Sequence, residues 1–175
     1  MKNKAIFFDR DGVLNDAKII DGKPHPPDNL LHTQITYGAR DTLDTLQKMG
    51  YILLVVTNQP DVADGIKSKE TEQEIENFII ESLPLDDYFS CIHKREDNCK
   101  CRKPNIGMFI QANEKYNIDF SRSWIVGDRW SDIKAGQNMG MKTIFIDHKY
   151  KEQKPYCPDF IVQDIGDIKE IIYAN

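Results

Sequence analysis

Three layers, a parallel β-sheet with helices on both faces, are predicted by two features of the chain. Short, continuously apolar runs alternate with segments of helical periodicity, as in α/β proteins. Three of those runs also end in small polar or acidic residues, and ligands collect at such C-terminal strand ends. At 175 residues and 40% hydrophobic content, the chain suits one domain, residues 1–175, with one sizeable core.

The strand-like runs are Lys4–Phe8, Tyr51–Val56, Tyr88–Ile92, Ser123–Val126, Lys142–Ile146 and Phe160–Val162. Between them, Ala39–Met49 places Leu43 and Leu46 on one face and stops at Gly50. Ser68 is positioned to cap Lys69–Leu83, whose Ile75, Phe78, Ile79 and Leu83 recur at helical spacing. Met108, Phe109 and Ala112 mark a third helix. A fourth runs from about Ser131 to Met139 before Gly140, and a fifth lies near Ile165–Tyr173. Residues 15–36 lack periodicity and read as a long loop, with Lys23-Pro24-His25-Pro26-Pro27 inside it; loops of that length in compact domains are often functional. Residues 58–90 hold a single helix that the core needs, so there is no room for a large cap domain.

A net charge of −5 argues against non-specific nucleic-acid binding and against adhesion to anionic membrane. It leaves room for a small anionic substrate, because a bound metal and a few basic side chains reverse the local field. Met1-Lys2-Asn3-Lys4 precedes only four apolar residues before Asp9, too short for a signal-peptide core, and no stretch approaches a membrane span. A soluble, cytoplasmic monomer is the expectation.

The first strand delivers Asp9 and Asp11 into the turn Asp9-Arg10-Asp11-Gly12-Val13. Carboxylates this close repel unless a proton or a cation compensates them. Alone, such a pair is equally well a solvated turn. The second strand ends in Thr57-Asn58-Gln59, whose small polar groups suit a phosphate oxygen, though a polar turn explains this element as well. The fourth ends in Gly127-Asp128-Arg129-Trp130-Ser131-Asp132. If the first and fourth strands are neighbours, Asp9 and Asp128 supply hard oxygen ligands for Mg²⁺, and a backbone carbonyl and waters complete an octahedron. Asp132, one helical turn on, reads first as a cap for the following helix and second as a group ordering the metal's water shell. Arg102-Lys103-Pro104 adds cations: Lys103 can screen Asp9 from an incoming phosphate, and Arg102 can reach a second anionic group. By itself a basic pair is ordinary surface charge.

Cys91, Cys99 and Cys101 lie within eleven residues, with His93 among them. Three thiolates and an imidazole form a set suited to tetrahedral Zn²⁺ with no open position, hence a structural metal. The loop at about 91–103 would then be stapled behind Arg102 and Lys103. Ordinary thiols around a strand end are the alternative. Cys157, His25, His32 and His148 carry no stronger reading than solvated or structural side chains.

Taken in order, Asp9-Arg10-Asp11-Gly12-Val13, Thr57-Asn58-Gln59, Cys101-Arg102-Lys103-Pro104 and Gly127-Asp128-Arg129-x-x-Asp132 resemble the four motifs of haloacid dehalogenase (HAD) superfamily phosphatases. The pattern Cys91-x-His93…Cys99-x-Cys101-Arg102-Lys103-Pro104 is similar to the branch that groups heptose-1,7-bisphosphate phosphatases with histidinol-phosphate phosphatases. The resemblance implies a Rossmann-like HAD-type fold and Mg²⁺-dependent hydrolysis of a phosphomonoester through an aspartyl-phosphate. It implies Asp9 as nucleophile and Asp11 as acid and then base. Thr57 and Lys103 would hold the phosphoryl group, and Asn58, Arg102 and Arg129 would contact substrate. Mg²⁺ would be held by Asp9, Asp128 and the Asp11 carbonyl, and structural Zn²⁺ by Cys91, His93, Cys99 and Cys101.

The implied partner is a small phosphorylated metabolite, a sugar bisphosphate first, with histidinol phosphate next. A polynucleotide 3′-phosphatase lacks support from the acidic charge balance, and a non-catalytic zinc-stapled binding protein lacks it from the intact motifs. Two departures touch specificity. Pro60-Asp61 stands where relatives commonly have Ser-Gly, and Asp64-Gly65 where an arginine is frequent. Asp61 adds negative charge where a phosphate would approach.

Overall fold

The computed structural model describes residues 2–175; Met1, part of the segment read for a leader, lies outside them. Strand β1 (Ala5–Phe8) is followed by a short hairpin, β2 (Lys18–Ile20) and β3 (Lys23–His25), then α1 (Ala39–Lys48), β4 (Ile52–Asn58) and α2 (Lys69–Ser82). The chain continues through β5 (Asp87–Cys91), α3 (Gly107–Tyr116), β6 (Trp124–Gly127), α4 (Trp130–Met139), β7 (Lys142–Ile146), β8 (Phe160–Val162) and α5 (Ile168–Ala174). Six strands form one sheet in the order β5-β4-β1-β6-β7-β8, and every pairing in it is parallel.

β1 is wholly buried because both of its faces are covered. Ile6 and Phe8 pack with Leu43 and Leu46 of α1, Ile75 and Ile79 of α2, and Ile168 and Ile172 of α5. Ala5 and Phe7 face Met108, Phe109 and Ala112 of α3 and Ala135 of α4. Full burial of one such Phe or Ile side chain stabilises the fold by about 1.5–3 kcal/mol, so the site rests on a rigid floor. Ser68 caps α2 as its position suggests, its hydroxyl accepting from the Thr71 N–H at 3.0 Å. α4 closes on Gly140 in the left-handed region.

The segment 15–36 is not a plain loop. Its β2–β3 hairpin and a 3₁₀ turn at Leu30–His32 escaped the periodicity reading because the strands are three residues long and largely exposed. Pro60 opens a second 3₁₀ turn, Pro60–Val62, at a position where a missing N–H costs nothing. No helix among the described residues is long and apolar enough to cross a membrane.

Candidate active site

The sheet order sets β1 between β4 and β6, so three of the polar strand ends meet at one edge. Asp9 continues β1, its N–H donating to the Val126 carbonyl at 2.9 Å. Two glycines make the close approach possible. Gly12 has φ +86°, and a methyl there would lie 2.0 Å from Asp128 Oδ2; one at Gly127 would lie 2.2 Å from the Asp132 Cβ.

Lys103 enters from the loop before α3 and is buried. Its ammonium donates to Asp9 Oδ1 at 2.8 Å and to the Val56 carbonyl at 2.5 Å, and it pairs with Asp132 Oδ1 at 2.7 Å. The ammonium is therefore held between three different polypeptide segments by two hydrogen bonds and an ion pair. Burial opposes the charge of Lys103, but Asp132 and Asp9 raise its pKa above the ordinary value. Asp132 has a second duty, accepting the Arg129 N–H at 3.0 Å at the start of α4. It is the helix cap that the sequence suggested and the anchor of Lys103 besides. Burial, reinforced by the Asp132 carboxylate and opposed by Lys103, pushes Asp9 up to about 6.

Asp128 is 2% exposed, and both of its carboxylate oxygens are buried without a hydrogen-bond partner. Burial first, then Asp9 and Asp132, push its pKa far above the carboxylate range. Asp9, Asp128 and Asp132 each bring one oxygen within 4.8 Å of the others. One ammonium does not compensate three carboxylates, and orphaned buried oxygens need a partner. Hard oxygen donors in this deficit fit a divalent cation such as Mg²⁺.

Asp11 is oriented otherwise. Arg10, wholly buried, grips it with Nε and Nη2 at 3.0 Å each, while Asn15 Nδ2 at 3.0 Å and Gln59 Nε2 at 2.6 Å complete the ring of donors. Burial alone would raise the Asp11 pKa; Arg10, Asn15 and Gln59 bring it below the ordinary value. Arg10 is held in turn by Glu72 and by the Tyr88 hydroxyl, and Glu72 pairs with the buried Lys67 at 3.1 Å. Neither Arg10 nor Glu72 was assigned a role from sequence. Their signal was weak, since an arginine between two aspartates reads as solvent-facing and Glu72 as a helix-surface residue.

Thr57 is buried, its Oγ1 accepting from Gln59 Nε2 at 2.9 Å. Asn58 engages the Lys103 backbone in both directions, Nδ2 to the carbonyl at 3.1 Å and Oδ1 from the N–H at 3.0 Å. Its amide thus fixes the loop bearing Lys103, a task the expected substrate contact did not include. The Gln59 N–H donates to the Cys91 carbonyl at 2.8 Å.

That carbonyl belongs to the cysteine loop. Cys91 Sγ lies 3.5 Å from Cys99 Sγ and 3.1 Å from Cys101 Sγ, and His93 Nδ1 lies 3.1 Å from Cys101 Sγ and 3.6 Å from Cys91 Sγ. All four cysteines are free thiols. Sulfur atoms about 3.7 Å apart are what Zn–S bonds of about 2.3 Å impose on a tetrahedron, so the donor set and its spacing fit Zn²⁺.

The strand ends border a cavity of about 560 Å³, a size suited to a small metabolite. Asp9, Thr57 and Lys103 line it together with Lys23–Pro26 from the hairpin and the residue after it, and with Arg95, Arg102 and Arg129. Arg102 keeps a buried Nη1 without a partner. Arg129 pairs with Glu152 at 2.6 Å. Asp61 also lines the cavity, as its position in sequence foreshadowed.

Residues 100–168 match the family model described as HAD-hydrolase-like. The D-glycero-beta-D-manno-heptose-1,7-bisphosphate 7-phosphatase of Haemophilus ducreyi is 38% identical over 155 residues, covering 82% of each chain. That of Haemophilus influenzae is 35% identical and covers 97% of each. The chain belongs to the HAD-like phosphatase family.

Among solved structures, this HAD-like phosphatase superposes with a TM-score of 0.82, at 23% identity and 98% coverage of each chain, on D,D-heptose 1.7-bisphosphate phosphatase from B. bronchiseptica complexed with magnesium and phosphate. A putative HAD-like phosphatase from Mesorhizobium loti gives 0.78 at 23% identity, covering 99% of this chain and 87% of its own. At those identities the likeness establishes the shared phosphatase fold. The six-stranded sheet without a large cap agrees with the architecture expected from the sequence.

Proposed function

We propose that this phosphatase removes one phosphate from a sugar bisphosphate, D-glycero-D-manno-heptose 1,7-bisphosphate first among candidates, in the cytoplasm and as one domain spanning residues 1–175. The carrying observation is the cavity's division of labour: Asp9 held 2.8 Å from the Lys103 ammonium, and Arg102 lining the same cavity with an unpartnered buried nitrogen. The naming of the Haemophilus relatives supports the same substrate class.

In the mechanism, Asp9 attacks phosphorus and forms an aspartyl-phosphate, which splits the hydrolysis into two steps. Asp11 gives a proton to the leaving alcohol and later takes one from the attacking water. Arg10, Asn15 and Gln59 orient the Asp11 carboxyl, and the proton it gives to the leaving alcohol is one it has taken up from solvent before the attack. Lys103 and the Thr57 hydroxyl hold the equatorial oxygens as charge develops on them. Asp9, Asp128 and the Asp11 carbonyl would hold Mg²⁺, which would supply neutralising charge. Asp132 acts through Lys103, and Zn²⁺ on Cys91, His93, Cys99 and Cys101 braces the loop that presents Arg102 and Lys103.

A phosphate-release screen with Mg²⁺ tests the reading, across heptose 1,7-bisphosphate, its 7-monophosphate, histidinol phosphate and a 3′-phosphorylated oligonucleotide. The bisphosphate should have the highest kcat/KM. Arg102→Ala should raise KM for the bisphosphate more than for the monophosphate, by the loss of a charge-assisted contact of about 1.5–3 kcal/mol. Equal effects on both would hand the lead to histidinol phosphate or another monophosphate.

A further inference from the structure

The segment after β7 is fastened to the site at several points, and none of them follows from the four motifs. His148 Nε2 lies 2.7 Å from the Gly12 carbonyl. The Tyr150 hydroxyl stands beside Gly12 and the Asp128 carboxylate. The Lys151 N–H donates to the Gly22 carbonyl at the hairpin tip at 2.8 Å. The next residue, Glu152, turns its carboxylate into the cavity onto Arg129 Nη2 at 2.6 Å.

Arg129 and Arg102 both line the cavity but are differently occupied. Arg102 has no anionic partner within 4 Å among the described residues, whereas Arg129 is already neutralised by Glu152. Among those residues, Glu152 makes no hydrogen bond other than that one. Both side chains of the pair are part-exposed, 33% for Arg129 and 19% for Glu152, so an entering anion can reach the guanidinium from the solvent side. The backbone around Glu152 is tied down at Lys151, so its side chain can turn away while the segment stays.

We infer that Glu152 is a specificity-determining residue: its carboxylate occupies Arg129 and yields it only to the non-transferred phosphate of the substrate. This rests on the bisphosphate reading above. A phosphate dianion offers more charge and more acceptor oxygens to a guanidinium than a carboxylate does, so it displaces Glu152. A neutral sugar hydroxyl does not, and a substrate with one phosphate leaves the pair closed. Glu152 therefore raises KM for the bisphosphate and excludes weaker anions from Arg129.

Kinetics of wild type, Glu152→Gln, Arg129→Ala and the double variant test this, with heptose 1,7-bisphosphate and its 7-monophosphate as paired substrates. Wild-type preference between the two tests the bisphosphate reading. The ratio of Glu152→Gln to wild type tests the role of Glu152 and is read independently. Glu152→Gln should lower KM for the bisphosphate by about 1.5- to fivefold, the span of a part-exposed ion pair, with kcat and the monophosphate KM unchanged. In the Arg129→Ala background the same substitution should have no effect, because the coupling runs through that guanidinium. Glu152→Asp, which keeps the charge but shortens the reach, should behave like Gln. A bisphosphate KM that is unchanged or raised in Glu152→Gln overturns the proposal. So does an effect of equal size on both substrates, or one that persists without Arg129.

Discussion

Lys103 and Asp132 form an ion pair at 2.7 Å in which both side chains are 1% exposed. A buried charge deprived of its partner costs far more than a surface one, about 3–5 kcal/mol. This pair also aims the ammonium at Asp9, so its integrity has a stability readout and a catalytic one.

Asp132→Ala should therefore lower the melting temperature and, by freeing the ammonium, reduce kcat more than it raises KM. Lys103→Ala should lower kcat for every phosphomonoester tested, because it removes a contact to the transferring group. Steady-state kinetics beside thermal melts of each variant separate the two effects. A Lys103→Ala enzyme with normal kcat and raised KM would place Lys103 in ground-state binding alone.

Asp9→Asn keeps the shape of the side chain but loses the attacking anion. Turnover should fall to background while the circular dichroism spectrum and melting remain native-like. Asp11→Asn should lose about 10²–10⁴-fold, the span of acid–base catalysis. Appreciable turnover by folded Asp9→Asn would exclude the covalent route.

Asp9 titrates near 6 in the fold, above its ordinary carboxylate value, so the native state holds its proton to higher pH than the unfolded chain. The linkage sign follows: the Asp9 contribution to stability of metal-free protein is lost as pH rises from about 4 to about 6. Metal-free Asp9→Asn should therefore gain melting temperature relative to wild type across that window. Mg²⁺ favours the ionised carboxylates, so the rise in melting temperature it produces in wild type should be small near pH 4 and larger once pH has passed about 6. A Mg²⁺-induced rise of equal size at both ends would contradict this.

The cysteine loop should carry about one zinc per chain. Chelation should expose residues 91–103 to hydrogen exchange and slow turnover before it unfolds the core, because the cluster that packs Ile6 and Phe8 against α1, α2 and α5 contains none of the cysteines. Elemental analysis of reduced, chelator-free protein decides the first point. Zinc-free protein with full activity would dissociate the loop from Lys103.

Legibility followed range. Apolar strands between helices of regular period were readable because each depends on neighbours a few residues away, and element ends shifted by no more than about three residues, the last helix starting at Ile168 after a 3₁₀ turn. Asp9, Thr57, Lys103 and Asp128 were readable because strand ends and turn residues carry local signatures. The β2–β3 hairpin was not, since three-residue exposed strands leave no apolar alternation to detect.

What the sequence by itself determined was the α/β class, the residues at the strand ends and the donor set of the cysteine loop, all properties of short segments. Only the tertiary structure decided what those residues are bound to. The strand order brought Asp128 beside Asp9, and the loop path set Lys103 across three segments. Arg10 was turned inward to hold Asp11, Asn58 was committed to the Lys103 backbone, and Glu152 was set on Arg129. Partners such as Asp9 and Lys103 are 94 residues apart along the chain. Nothing in either local sequence encodes the other, and only the packed sheet makes them neighbours.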